Sequence, residues 1–178
     1  MPRDRYDTVG AGCAIGGSVL LLAGTFLHPS GADPHDNLAA FTEYAANRPW
    51  VNSHLLQLAG IVLMVGALRI LSQQLQAGAG GVWSLLGGGI ATAGMAIAAV
   101  LQAVDGVALK VMVDRWAASP DETTFEGAFA VRQVEIGMAA MLGLLLGLAV
   151  CAYGLAMLAD VHSPTWMGVR PSWVVSPP

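Results

Sequence analysis

Apolar positions in this chain fall in long unbroken runs, without the alternation of a strand or the one-sided stripe of a surface helix. Val9 to Leu27 is 19 residues without a charge, Val82 to Val104 is 23, and Ile136 to Ala159 is 24. A helix crossing the hydrocarbon core needs about 20 apolar residues, so these runs predict three spans. A fourth run, Leu55 to Leu68, has only 14 uncharged residues. It reaches roughly 20 if the helix begins near Pro49 and Arg69 snorkels toward the headgroups. Four crossings place both termini on one face. The pattern therefore predicts an all-α fold, a four-helix transmembrane bundle forming one domain over 1–178, with spans at approximately 9–28, 50–71, 82–108 and 129–159 and an irregular interfacial tail over 160–178.

The punctuation between the runs fills in the connections. Pro29, Gly31 and Pro34 break the chain after the first span, Asp36 is placed to cap a new helix, and Leu38, Phe41 and Ala45 recur at helical spacing. A short amphipathic helix on the membrane surface is expected there, ending near Asn47. Ser72 to Gly81 reads as a tight glycine-rich loop. Between the third and fourth spans, Ser119-Pro120-Asp121-Glu122 has the form of a capping box with proline at the first helical position. Helices three and four would then continue roughly 10 to 20 Å past the bilayer as a protruding hairpin. Tyr6, Trp50, Trp83, Trp116, Trp166 and Trp173 fall at the expected boundaries, where amphipathic aromatic rings concentrate. The first run is longer than the about 7 to 15 residues of a secretory signal core and is expected to remain in the protein.

Composition agrees with lipid as the solvent. Apolar residues make up 55% of the chain and charged residues 11%, against about 25% charged in a soluble domain. This balance excludes a disordered chain, and with a net charge of −4 it excludes a nucleic-acid binder driven by basic charge. Lys and Arg divide equally between the two faces: Arg3, Arg5, Arg69 and Arg170 against Arg48, Lys110, Arg115 and Arg132. Nine of the 12 acids lie on the second face. The positive-inside rule ties, and the acidic excess tips the expectation toward cytoplasmic termini in the cell membrane. Gly12/Gly16, Gly87/Ala91, Gly94/Ala98 and Gly143/Gly147 supply small-residue pairs for close helix contact, within the bundle or toward a homo-oligomer or larger membrane complex. Cys13 and Cys151, with no C-x-x-C pair, read as buried reduced thiols.

Polar residues gather at one membrane depth. His28 ends the first span, His54 and Gln57 open the second, Gln102 and Asp105 end the third, and Arg132 and Glu135 open the fourth, each pair on one helical face. Ionisable groups inside a span are costly and face the bundle interior, which makes this cluster the candidate ligand-binding site. In one reading Arg132 pairs with Asp105 or Glu135 as a structural clamp. In a second, His28, His54, Asp105 and Glu135 hold a metal ion such as zinc or iron. In a third, His28 and His54 ligate haem; in a fourth, Asp105 and Glu135 load protons for transport. His35 is a surface residue or a third imidazole, His162 lies on the wrong face, and Met138 and Met141 are packing residues.

The runs LQAVDGVALKVMVDRW and VRQVEIG, with the His28-Pro29 pair, resemble segments of uncharacterised four-span bacterial integral membrane proteins. The resemblance covers about half the chain and implies the same architecture without an activity. Small multidrug exporters carry an essential acid in the first span, which has none here, and quinone-linked thiol oxidoreductases need an absent cysteine pair. The leading expectation is a non-enzymatic accessory or ligand-binding membrane subunit. A metal- or haem-binding redox protein and a small ion or solute transporter are the alternatives.

Overall fold

The structure, a computed structural model, describes residues 3–161; the expected tail, with His162, Trp166 and Trp173, lies almost wholly outside the described residues. All regular structure in this range is helical. Helix α1 spans Arg3–Leu27, α2 Asn37–Ala46, α3 Trp50–Leu75 and α4 Gly81–Ala103. Helix α4 continues without a break through one π-helical turn, Val104–Leu109, into α5, Lys110–Ala118; α6 covers Glu122–Val161. Four continuous helices are long and apolar enough to cross a membrane: α1, α3, α4 with α5, and α6. The chain has the architecture of a multi-pass membrane protein.

Successive spans are neighbours. Helix α1 packs along α3, α3 on α4, and α4 on α6, while α3 and α6 meet over a short stretch. Exposed and buried chemistry is inverted relative to a water-soluble domain. Ile15, Phe26 and Val82 are exposed, whereas Ser53, His54, Ser72, Ser84, Gln102 and Arg132 are buried. Such an arrangement is stable where the outer solvent is hydrocarbon and polar groups must find partners inside the protein.

Small residues set the helix contacts, in a different register from part of the expectation. A Cβ on Gly17 would lie 2.8 Å from the Gly60 carbonyl, and one on Gly24 would lie 2.7 Å from that of Ser53. The α1–α3 crossing is built on these three glycines. Gly12 faces open space, and Gly16 touches only Leu63. Between α4 and α6 the predicted ladder is present: Gly87 meets Tyr153 and Ala152, Gly94 meets Leu146, and Ala91 and Ala98 are fully buried. Gly143 and Gly147 have nothing within 4 Å. Cys13 and Cys151 are free thiols, but Cys13 is only half-buried and Cys151 is exposed, where both were expected to be buried.

Beyond the spans, α2, α5 and the start of α6 form a cap. Asp36 caps α2 by accepting the Ala39 N–H at 3.0 Å, as its position predicts. The buried face of α2 is Ala40 and Phe41, while Leu38, expected on that face, is exposed. Phe41 meets Trp116 and Phe125 edge-on at 6.2 and 5.3 Å between ring centres. The apolar side of this helix is thus turned toward the α5–α6 hairpin. Helix α6 begins two residues later than the capping-box reading has it. Asp121 is the residue that accepts the Thr124 N–H, whereas Ser119 closes α5.

Candidate metal centre

Three elements deliver the cluster. His28 follows the last residue of α1, His54 lies one turn into α3, and Asp105 is in the π-helical turn after α4. Each offers one ligand atom, and these atoms all lie within 4.8 Å of one another. A π-helical turn inserts an extra residue per turn and recurs at functional sites. Here it releases the Asp105 carbonyl, which accepts the Trp50 indole N–H at 3.1 Å, and it turns the Asp105 carboxylate toward His54. Gly106 permits the close approach, since a Cβ there would stand 2.8 Å from His54 Cβ.

Backbone contacts decide which nitrogen of each ring is free. His54 Nδ1 lies 2.7 Å from the Trp50 carbonyl, which only accepts, so Nδ1 carries the proton. His28 Nδ1 lies 2.9 Å from the Pro29 carbonyl, with the same consequence. Both rings therefore have Nε2 available as a lone-pair donor. A second nitrogen tied to a carbonyl is the usual support of a metal-ligating imidazole, because it sets tautomer and ring angle. His54 Nε2 then faces Asp105 Oδ2 at 2.9 Å. Two lone pairs at that distance need a proton or a metal ion between them.

Aromatic walls hold the rings. Trp50, fully buried, stacks at 4.7 Å from His54 and 5.1 Å from His28, and the two imidazoles are 5.1 Å apart. Tyr44 of α2 closes the stack at 4.6 Å from Trp50. Imidazole rings this close, both packed on one indole, leave no slot for a porphyrin plane between them, and the expected haem ligation does not fit.

The loop carrying His28 is held from both sides. The Glu43 carboxylate accepts the N–H groups of Gly31 and Ala32 at 2.8 and 2.9 Å. These donors hold its carboxyl below the ordinary value. Arg132 is 4% exposed and donates to the Pro34 carbonyl at 2.8 Å and to Asn37 Oδ1 at 3.3 Å, with its guanidinium over Phe41 and Tyr44. The expected clamp between Arg132 and Asp105 or Glu135 is thus replaced. Among the described residues the Asp105 ion pair is with His54. The Pro34 carbonyl and Asn37 Oδ1 take up the Arg132 donors instead.

The other predicted positions divide. Glu135 lies near enough to Asp105, Arg132 and His54 to feel their charge, but it is not one of the three grouped ligands. Gln102 is buried with Oε1 unpaired. Gln57 packs on α1, where Gly24 leaves space for its side chain. His35 is exposed and stands apart from the grouped ligands. Trp50, expected at the membrane boundary, is instead the buried floor of the site, and Tyr44, Ser53 and Glu43 are members that sequence reasoning missed. The Trp50-x-x-x-His54 spacing, one helical turn, was the readable signal for the indole. No family model, curated protein or solved structure matches this chain.

Proposed function

We propose that this chain is a small integral membrane ligand-binding protein whose ligand is a divalent transition-metal ion, held by His28, His54 and Asp105. The observation that carries this reading is the convergence of three donor atoms within 4.8 Å. It is supported by backbone carbonyls at both Nδ1 atoms, which leave the Nε2 lone pairs for a cation. Two imidazoles and one carboxylate suit zinc or ferrous iron, and three protein ligands leave room for water or a small exchangeable ligand. Glu135 lies within electrostatic reach of the cluster without being one of the three grouped ligands. The acidic loop side faces outward and the termini are cytoplasmic in this proposal. The open Gly143/Gly147 face of α6 is the surface offered to a second copy or a larger complex.

Purified protein in detergent, stripped with chelator and titrated with Zn²⁺ or with Co²⁺ as a coloured probe, is expected to bind one ion per chain. His28→Ala, His54→Ala and Asp105→Asn should each weaken binding by more than the ~10- to 100-fold that follows loss of a supporting hydrogen bond. Affinity should fall as the pH drops through the imidazole range, since bound rings must be neutral. Absence of binding in the unmodified protein, or equal binding in folded His54→Ala and Asp105→Asn, would reduce the cluster to a His54–Asp105 ion pair.

A further inference from the structure

Buried polar side chains inside the spans lie at two levels, with an apolar layer between them. On the loop side is the cluster of His28, His54 and Asp105. On the side of the termini, Ser72 of α3 and Tyr153 of α6 are almost fully buried, and their hydroxyl hydrogens go to the Ser84 and Leu68 carbonyls. Between the levels, residues 58–68 of α3 and 136–152 of α6 are all apolar. Residues 89–101 of α4 include a single hydroxyl, Thr92, which is closed on the Gly88 carbonyl of its own helix. In α1, Ser18 and Thr25 likewise donate to Ala14 and Leu21 of the same helix. The α3 segment alone is about 16 Å long.

All four spans fill this layer. Ile61 and Val65 of α3, Ala91 and Ala98 of α4 and Ala149 of α6 form its buried centre, and Leu21 of α1 packs against them. The helices meet there at backbone distance: a Cβ on Gly60 would lie 2.8 Å from the Gly17 carbonyl, and one on Gly94 would lie 3.2 Å from Leu146 Cδ2. An ion passing through would give up water and protein donors together, the most costly state open to a charge.

The far level also has the wrong chemistry to receive a cation. Its buried members are hydroxyls, and Arg69 brings a positive charge beside them: a Cβ on Gly88 would come 2.8 Å from Arg69 Nη1 and 2.9 Å from Ser72 Oγ. Asp7, at this end of α1, is exposed and held by the Gln74 amide. Within the ligand cluster the His54 side chain is 2% accessible and that of Asp105 15%, while half-buried His28 begins the loop to α2. The accessible members are therefore those at the loop side.

We propose that the site exchanges its ion with the loop side alone, so that the chain takes up or presents a divalent metal in one compartment and does not carry it across the membrane. This inference rests on the metal reading above and adds the direction of access to it.

The test uses the full chain with Glu122→Cys in a background where Cys13 and Cys151 are serine, loaded with Zn²⁺ and reconstituted into sealed phosphatidylcholine vesicles holding at most one chain each. Impermeant biotin-maleimide followed by streptavidin separates vesicles whose loop side faces out from those whose loop side faces in. A chelator added outside should strip zinc from the first set and leave it in the second until detergent is added. Loss from both sets, loss from the second alone, or retention in both would overturn the proposal. A zinc-sensitive dye trapped inside should report entry no faster than in protein-free vesicles, with or without a proton gradient, and faster entry would overturn it as well. Failure of the metal reading looks different: the same chain in detergent would then hold no zinc, and this inference would fall with that assignment.

Discussion

Glu43 is the residue whose removal best separates a positioned metal site from a mere cluster. It lies outside the spans and touches no ligand atom, yet its carboxylate holds the Gly31 and Ala32 amides of the loop that begins at His28. Glu43→Ala is expected to weaken Zn²⁺ binding about 10- to 100-fold, as loss of outer support does, while leaving one ion per chain. Its carboxyl is held below its ordinary 4.5 by those backbone donors. A depressed folded value means that the contribution to stability is present above the unfolded value and is lost as pH falls through the folded one. Melting curves across the acid range should show this loss in the unmodified protein and not in Glu43→Ala. Unaltered metal affinity in that variant would show that the loop sits correctly without it. His28, His54 and Asp105 were legible as a group because each interrupts or borders an apolar run at the same depth. The carbonyls that select their tautomers were not, since a backbone acceptor is presented by geometry and has no letter in the sequence.

At the scale of helices, the glycines make two opposite predictions from the same sequence motif. Gly17→Leu forces a side chain into the Gly60 backbone and should destabilise by about 1 to 3 kcal/mol, or more if α1 detaches. Gly147→Leu projects into open space and should stay within about 0.5 kcal/mol of the parent. Unfolding in mixed detergent measures both. Equal effects would contradict the packing order in which α1 rests on α3 through Gly17, Gly24 and Gly60. The expected Gly12/Gly16 and Gly143/Gly147 pairs were as plausible in sequence as Gly87/Ala91. Which side of a helix faces protein is decided by rotation about its axis, and a small residue on the lipid side looks identical in one dimension. The start of α6 has the same origin: proline, aspartate and serine all cap helices, and Asp121 took the role because Ser119 was already closing α5.

For the molecule as a whole, four crossings place the α1–α2 loop and the α5–α6 turn on one side and the α3–α4 loop on the other. In a background with Cys13 and Cys151 replaced by serine, His35→Cys and Glu122→Cys should be labelled from one side of intact cells by an impermeant maleimide. Ala77→Cys should be protected, and labelled only after permeabilisation. With cytoplasmic termini the accessible side is the outside. Labelling of position 77 together with position 35 would reject the four-span arrangement. The cap belongs to this scale as well. Phe41 is far in sequence from Trp116 and Phe125, and packing of α2 on the α5–α6 hairpin brings the three rings together.

Apolar run length, loop punctuation and the depth of the polar residues were determined by the sequence alone. The cost of an unpaired backbone group or a charge in hydrocarbon is so large that it leaves four helices with their polar groups turned inward as the economical solution. Tertiary structure alone decided that Arg132 reaches the Pro34 carbonyl, that Trp50 lies beneath two imidazoles, and that a π-helical turn aims Asp105 at His54. Those outcomes depend on helix rotation and on ångström-scale approach between backbones. Differences of a few kcal/mol among alternative polar partners settle them once the helices have packed.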